Sequence, residues 1–310
     1  MHMLSRYDIF CKVVETGSFT RAAEALGYSQ SAVSQMVKAL EEELGTTLVN
    51  RGKGGVTLTA DGESYLPYLR AICGAEAALG RKHREMQGLE NRSIRIGTFT
   101  SVSRNLLPQL MQQFKALYPG VHFVLQQGEY TSISQWVREG QVDFGFVNVQ
   151  AVTGLTVRSL YRDEMMAVLP PNHPLTAQSK VTLRQLAAEP FILLDEGAYS
   201  VPLDAFTRQG LTPRIEYKVY DDYSILAMIR QGLGVSILYQ LVLTGFGEGL
   251  AVRPVEEPLE RTVALAWRSW DTLPLAARRF AEFVLKRAPS VLAQLPREGI
   301  AAGEWAGPVK

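Results

Sequence analysis

The chain has 310 residues, of which 46% are apolar and 20% charged, and its 32 Lys and Arg nearly balance 31 Asp and Glu. This composition predicts a globular protein of two or three domains, and the net charge of +1 does not by itself indicate a polyanionic partner. Cys11 and Cys73 are too few for a disulfide framework, and no run approaches the roughly 20 apolar residues of a membrane span. We therefore expect a cytoplasmic protein without membrane association, since the amphipathic start is also unlike a signal peptide.

Helix signals mark the first 45 residues. Gly17 and Gly27 each follow an apolar-periodic stretch, as helix-ending glycines do, and Ser18 and Ser29 stand where N-caps are expected. The sequence therefore predicts three helices, the second and third of which are joined by a short turn containing a glycine. That is the helix-turn-helix arrangement, whose second helix lies in the major groove of DNA.

The third helix presents polar, mostly uncharged side chains opposite its apolar stripe. Gln and Ser hydrogen-bond base edges, and Lys reaches a phosphate or a guanine. The candidate DNA-binding residues of the helix-turn-helix are Ser18, Thr20, Ser29, Gln30, Ser31, Ser34, Gln35 and Lys38. The alternative is a core-facing helix whose polar side is merely solvated. Residues 25–40 contain no acid, and the acids Glu41–Glu43 follow at the far end, which favours the DNA interface.

Two short β-prone segments flank the glycine-rich stretch at residues 51–55. They predict a hairpin wing with a basic tip, in which Arg51 and Lys53 hold the DNA backbone or the minor groove. The alternative is a plain surface turn. Residues 1–58 are thus predicted to form a winged helix-turn-helix DNA-binding domain.

A long helix is predicted to begin after Thr59 and to run to about Gly88. Its apolar residues follow a rough heptad seam, the pattern of a helix that pairs with a partner helix. The candidate dimerisation residues are Tyr65, Leu69, Ile72 and Leu79. We therefore expect residues 59–90 to be a linker and dimerisation helix with its hinge.

From Ser93 the chain alternates strands and helices in the order β-α-β-α-β, and the pattern restarts near residue 165. This order predicts an α/β fold of parallel sheets covered by helices, divided into two lobes with a cleft between them. Ligands of such folds bind outside the carboxyl ends of the strands. We assign residues 91–295 to this two-lobed domain, and expect the Gly-, Ala- and Pro-rich residues 296–310 to form a disordered tail.

The turn after the first strand of this domain is the strongest candidate for a ligand site. Its residues Thr100, Ser101, Val102 and Ser103 lie where helix N–H groups and hydroxyls converge and suit a carboxylate or another anion. Other strand ends supply the remaining candidate effector-binding residues, which are Gln127, Glu129, Asn148, Ser200, Asp222 and Tyr223. The acids among them favour a ligand that also carries an amine or several hydroxyls. The alternative is that Thr100 and Ser101 only cap the helix.

The run "GSFTRAAEALGYSQSAVSQMVKALEEELGTTLVNR…VTLTADG" resembles the DNA-binding domain of LysR-type transcriptional regulators, and "LLPQLMQQFKALYPGV", "VREGQVDFGFV" and "MIRQGLGVSIL" resemble their effector domain. The resemblance implies a winged helix-turn-helix, a linker helix and a two-lobed domain like periplasmic binding proteins. It also implies a homodimer or homotetramer that binds double-stranded promoter DNA, responds to a small-molecule effector and acts on RNA polymerase. Ser31, Gln35 and Val49 depart from the family pattern. Since the first two lie on the predicted DNA-facing surface, the operator sequence cannot be borrowed from relatives.

Catalytic motifs are absent from the sequence. There is no GxxxxGK[ST], HExxH or GxSxG run, and the four histidines lack metal-ligand spacing, so we expect no catalytic or metal-binding residues and no cofactor. The effector domain also lacks cysteine, which excludes the cysteine-pair switch of the peroxide-sensing members of the family. Two rival functions remain: a solute-binding or transport module, and an enzyme on the same two-lobed fold. The helix-turn-helix disfavours the first and the missing catalytic motifs disfavour the second.

Overall fold

The computed structural model describes residues 5–52, 55–86, 93–246 and 248–296, and the side chains of 81–86 are outside that description. The predicted wing residue Lys53, the predicted hinge at 87–92 and the tail beyond residue 296 therefore lie outside the described residues. The chain divides into two compact units. The first comprises residues 1–91 and the short stretch Arg138–Gln141, and the second comprises the remainder.

The first unit begins with the three predicted helices, α1 Arg6–Thr16, α2 Phe19–Leu26 and α3 Gln30–Leu44. Ser18 and Ser29 cap α2 and α3 by accepting hydrogen bonds from the backbone N–H groups of Arg21 and Ala32. The helices end at glycines in the left-handed conformation, as Gly27 does with a φ of 70°. The helix-turn-helix prediction is confirmed.

The wing is an antiparallel hairpin of β1 Val49–Gly52 and β2 Gly55–Leu58. Val56 N–H donates to the carbonyl of Gly17 at 2.9 Å, which ties the wing to the end of α1. Gly55 lies so close to Gly17 that a Cβ would come within 2.8 Å of that carbonyl oxygen. The sequence departure at Val49 affects packing, because its side chain is only 3% exposed and belongs to the core of this unit.

Helix α4 Ala60–Met86 follows, and Thr59 caps it by accepting a hydrogen bond from Gly62 N–H at 2.9 Å. One predicted seam residue is misplaced. Leu69 is 3% exposed and packs in the core of the first unit beside the α1 residues Ile9 and Phe10, so it is not available to a partner helix. The predicted seam residues Tyr65, Ile72 and Leu79 do remain exposed, Leu79 by 72%. A helix stripe that packs on its own domain has the same spacing as one that packs on a partner.

The second unit consists of two lobes. Lobe I comprises residues 93–137, 142–164 and 260–292, and lobe II comprises residues 165–259. The elements of lobe I are β3 Ser93–Thr98, α5 Thr100–Asn105, α6 Leu107–Leu117, β4 His122–Gln127, α7 Tyr130–Glu139, β5 Phe144–Asn148, β6 Thr156–Leu169 (shared with lobe II), β11 Glu260–Trp267 and α12 Leu275–Leu292. The elements of lobe II are α8 Leu183–Ala188, β7 Pro190–Leu194, α9 Val201–Arg208, β8 Arg214–Val219, α10 Asp222–Arg230, β9 Ser236–Tyr239, α11 Gln240–Leu243 and β10 Ala251–Pro254.

The long strand β6 joins the two lobes. Its first part, Thr156–Glu164, pairs with β11 in lobe I, where the strand order is β6-β11-β5-β3-β4. Its second part, from Met165 on, pairs with β9 and β10 in lobe II, and β7 continues that sheet through a bridge from Phe191 to Val235. The chain thus crosses from one lobe to the other at β6 and again just before β11.

The predicted α/β fold with a winged helix-turn-helix is confirmed, with two local differences. The pattern of residues 103–118 predicts one helix, whereas the structure has α5 and α6, separated by Leu106 at φ −112° and ψ −51°. The stretch "TVALAW" reads as a strand of the second α/β unit, whereas it forms β11, which lies in lobe I and runs antiparallel to β5. Within the described residues, no helix is long and apolar enough to cross a membrane.

Candidate DNA interface and effector cleft

The outward face of α3 consists of polar side chains with few internal partners. Ser29, Gln30, Ser31, Gln35 and Lys38 are exposed, while Val33, Val37 and Leu40 on the opposite side are fully buried. The buried stripe therefore fixes which way the helix faces, and the polar residues are held outward. Thr20 on α2 is also exposed, and Ser18 is half-buried as a cap.

Arg51 joins the wing to α3. Its Nη1 donates to Ser34 Oγ at 2.9 Å, and its guanidinium lies over the ring of Phe19 at 4.6 Å. Ser34 is correspondingly half-buried. The structure thus brings the predicted residues Ser34 and Arg51 together and places the Arg51 charge beside the exposed face of α3.

Two of the three acids at the end of α3, Glu41 and Glu43, are engaged away from its polar face. Glu41 Oε1 accepts from Leu48 N–H at 2.8 Å and from Val49 N–H at 3.2 Å, and Glu43 pairs with Arg6. Glu42 lies 3.5 Å from Lys38 in an exposed pair. Such surface pairs contribute about 0–1 kcal/mol, so Lys38 can exchange this carboxylate for a DNA phosphate.

A cleft with a volume of about 430 Å³ opens in the second unit between the two lobes. Lobe I contributes the end of β3, the end of β4 and the start of α7, while lobe II contributes the ends of β7 and β8 and the start of α10. The lining residues are Phe99, Thr100, Gln127, Gly128, Glu129, Tyr130, Ser132, Trp136, Leu194, Asp195, Glu196, Tyr220, Asp222 and Arg261. The cleft therefore lies at carboxyl ends of strands from both lobes, where the α/β fold predicts a ligand.

Arg261 on β11 forms the floor of the cleft and is 2% exposed. Its guanidinium donates from Nε and Nη2 to Asp163 Oδ2 at 3.0 and 2.6 Å, from Nη1 to Tyr130 Oη at 2.7 Å and from Nη2 to Ser101 Oγ at 2.7 Å. The ring of Tyr239 lies 3.7 Å away. Through these contacts Arg261 links β6, which carries Asp163, and its own strand β11 to Ser101 of α5.

Glu196 connects the lobes at one side of the cleft. Its Oε1 accepts from Tyr130 Oη of lobe I at 3.0 Å, and its Oε2 accepts from Tyr239 Oη of lobe II at 3.1 Å. Burial raises the pKa of Glu196 to about 7, although Arg261 and the two tyrosine hydroxyls act in the opposite direction. Nearby, a Cβ at Gly197 would collide with Glu129, so the turn after β7 approaches α7 as closely as glycine allows.

The ten predicted effector residues occupy three kinds of position: in the cleft lining, behind it, and elsewhere. Thr100, Gln127, Glu129 and Asp222 line the cleft. Ser101 lies behind the lining, hydrogen-bonded to Arg261, and neither Thr100 nor Ser101 caps α5 through its side chain. The others do not line the cleft: Val102 is in the lobe I core, Ser103 contacts Gln127, Asn148 accepts from Gln150 N–H, Ser200 caps α9, and Tyr223 packs on Phe246 and Arg104.

The sequence prediction missed Arg261, Glu196, Tyr130 and Trp136, all of which line the cleft. Glu196 lies two residues after the end of β7 and could have been found by the same strand-end rule that selected Asp222. Arg261 has a weaker signal, since a charged residue near the start of a strand normally faces solvent. Among the described residues, no group of three or more His, Cys, Asp or Glu is arranged to hold a metal ion.

A winged helix-turn-helix followed by a two-lobed unit with a polar cleft defines a class of DNA-binding regulators that respond to small ligands. Two family models match the chain: "Bacterial regulatory helix-turn-helix protein, lysR family" over residues 4–63 and "LysR substrate binding domain" over residues 87–289. The chain belongs to the LysR family of DNA-binding transcriptional regulators with an effector-binding domain.

The chain is similar along most of its length to other regulators. It is 33% identical over 282 residues to YvbU of Bacillus subtilis (strain 168), an uncharacterized HTH-type transcriptional regulator, covering 90% of this chain and 96% of YvbU. It is 36% identical over 282 residues to YnfL of Escherichia coli (strain K12), also an uncharacterized HTH-type transcriptional regulator, covering 87% and 94%. Full-length CbnR solved with its target DNA matches with a TM-score of 0.63 at 22% identity, over 91% of this chain and 98% of CbnR, which shows the shared fold.

Proposed function

We propose that this chain is a cytoplasmic, sequence-specific transcriptional regulator whose action on a promoter is controlled by a small molecule bound in the cleft. It binds double-stranded promoter DNA as a homodimer or homotetramer, acts through RNA polymerase and has no catalytic activity of its own. The observation that supports DNA binding is the outward polar face of α3, which is flanked by Arg51 while Glu41 and Glu43 are engaged away from it. Residues 59–90 serve as the linker that pairs two protomers.

In this proposal, α3 lies in the major groove. Gln30, Ser31 and Gln35 read base edges, while Lys38 and Arg51 contact phosphates. A well-placed side chain contributes about 1–3 kcal/mol of discrimination against a wrong base, whereas a phosphate contact strengthens binding to every sequence alike. The two kinds of residue therefore predict different mutant behaviour.

The first prediction tests Gln35. We expect Gln35→Ala to relax base preference at particular operator positions, at a cost of about 1–3 kcal/mol at those positions, because the amide no longer pairs with a base edge. The measurement is fluorescence anisotropy of the full chain on labelled DNA from upstream of its own reading frame, with single-base variants of the bound site. Lys12→Ala on α1 is the matched control, since Lys12 pairs with Glu15 away from α3.

Unchanged affinity and unchanged base preference in the Gln35→Ala protein would show that α3 does not read the operator. A uniform loss across all sequences with a smaller salt dependence would instead give Gln35 a backbone role. The Lys12→Ala protein should match the wild type in both respects.

The regulatory half of the proposal places the effector in the cleft between the lobes. Support comes from its position at strand ends of both lobes and from the direct contacts that bridge it, such as Tyr130 to Glu196 and Ala198 N–H to Thr131 Oγ1 at 3.3 Å. A ligand that touches both walls binds best at one particular lobe separation, so it shifts the population toward that arrangement. Titration of an effector into the DNA complex should therefore change the affinity or the footprint.

A further inference from the structure

Among the described residues, Arg261 is the one cation that lines the cleft, and it has little capacity left for a ligand. Of the five N–H donors of a guanidinium, Arg261 directs two to Asp163, one to Tyr130 and one to Ser101. The Asp163 carboxylate neutralises its charge in the same contact. Arg261 therefore cannot offer the two parallel N–H groups with which arginine usually binds a carboxylate.

Four carboxylates line the same cleft, and three of them have internal partners. Asp195 is 2.8 Å from Lys218, Glu196 accepts from two tyrosine hydroxyls, and Glu129 accepts from the backbone N–H groups at the start of α7. Asp222 is different. It is only 7% exposed, and among the described residues no other residue donates a hydrogen bond to its carboxylate.

Burial raises the free energy of a charged carboxylate that no other residue stabilises with a hydrogen bond, and the pKa of Asp222 reflects this effect. Burial raises the pKa of Asp222 to about 6, with Arg261 lowering it in part and Asp221 and Asp163 raising it further. At neutral pH the group is nevertheless largely ionised, so a negative charge lines the cleft with no hydrogen-bond donor from another described residue. A cation in the cleft would supply the missing partner.

Four of the remaining lining residues are aromatic, and we call them the aromatic wall. They are Phe99, Tyr130, Trp136 and Tyr220. Aromatic faces carry partial negative charge and attract ammonium groups within about 6 Å of the ring centre. Carboxylates and aromatic rings around one cavity are the combination that recognises an organic cation.

We propose that the effector carries a protonated amine, whose nitrogen binds the Asp222 carboxylate against the aromatic wall of the cleft. This inference rests on the proposed function of the cleft as the effector site. The volume of about 430 Å³ fits a small organic molecule rather than a polymer. In this proposal, Asp222 is the residue that distinguishes cationic from anionic ligands.

The experiment compares amines with acids of the same skeleton by calorimetry on the full chain. Suitable pairs are tyramine with 4-hydroxyphenylacetate, histamine with imidazole-4-acetate, and 1,5-diaminopentane with glutarate. We expect at least one amine to bind about tenfold or more tightly than its matched acid, because only the amine can pair with Asp222. A panel in which no amine binds more tightly than its acid overturns the proposal, and this comparison needs no variant.

Asp222→Asn then tests the residue, with Glu216→Gln as the control. Glu216 is an exposed acid of lobe II on β8 that does not line the cleft. We expect Asp222→Asn to weaken the tightest amine by about tenfold or more and Glu216→Gln to leave it unchanged. An amine whose affinity is the same in Asp222→Asn and the wild type overturns the assignment.

The same ligands, added to the DNA complex, separate this inference from the proposed function. An amine that needs Asp222 but leaves DNA binding unchanged supports the ligand class and contradicts control of DNA by the cleft. An acid that binds more tightly than its amine and shifts the DNA footprint supports the proposed function and overturns the ligand class.

Discussion

At the scale of single residues, Glu196 has a consequence for stability. Burial raises the pKa of Glu196 to about 7 and that of Asp222 to about 6, both above the range of an unfolded chain. The folded protein therefore holds more protons than the unfolded chain between about pH 4.5 and pH 7. The stabilising contribution of these two groups is complete below that window and is lost as the pH rises through it.

We accordingly expect the free energy of unfolding of the second unit to decrease from pH 5 to pH 7.5, with a slope of at most about 1.4 kcal/mol per pH unit for each group. Glu196→Gln should remove the slope near pH 7, since glutamine does not titrate, and leave the part below about pH 6 that Asp222 contributes, whereas Glu216→Gln should keep the whole slope. Urea unfolding followed by tryptophan fluorescence measures it selectively, because all four tryptophans follow residue 92. A slope near pH 7 that survives in Glu196→Gln would assign that titration to another group.

At the scale of elements, helix α4 presents different residues to its own unit and to solvent. Its early turns pack on the first unit through Leu69, and its later turns expose Ile72 and Leu79. We expect Leu69→Ala to lower the free energy of unfolding of the first unit by about 2–5 kcal/mol, because it leaves a cavity in the core.

We expect Ile72→Glu with Leu79→Glu to give folded monomers that bind the operator weakly, since two half-sites must be held together.

Circular dichroism melts report the first change, and sedimentation reports the second. A dimeric Ile72→Glu, Leu79→Glu protein would place the main interface outside α4. An unaltered melt of the Leu69→Ala protein would contradict the packing of Leu69 on α1.

Local features of this chain are predictable from its sequence, whereas contacts between residues far apart in the chain are not. Helix ends are predictable because Gly17, Gly27, Ser18 and Ser29 act locally, through caps within four residues. The cleft was predictable in outline because strand order sets where ligands bind. The role of Arg261 was not, since its partners Asp163 and Tyr130 are 98 and 131 residues away in the chain. Leu69 was assigned wrongly because spacing identifies an apolar stripe without identifying what covers it.

At the scale of the whole molecule, both lobes end in exposed edge strands. β4 exposes Val124 by 51% at the edge of lobe I, and β8 exposes Tyr217 by 40% at the edge of lobe II. Apolar side chains on a sheet edge favour association with another chain. We expect Val124→Asp with Tyr217→Asp to convert a tetramer to dimers in sedimentation while the linker pairing persists, and exposed Lys286→Ala on α12 to change nothing. Tetramers that persist in the double variant would place the second interface elsewhere.

The strand order of lobe I also determines when that lobe is completed during synthesis on the ribosome. β11 lies between β5 and β6, yet it is made after the whole of lobe II. Until residue 267 has left the exit tunnel, β5 and β6 have no strand between them, and Phe280 of α12 has not yet reached its contact with Phe114. Lobe II, a continuous segment, has all its strands by residue 254. The nascent chain therefore carries an open sheet upstream of a lobe that already has every strand it needs.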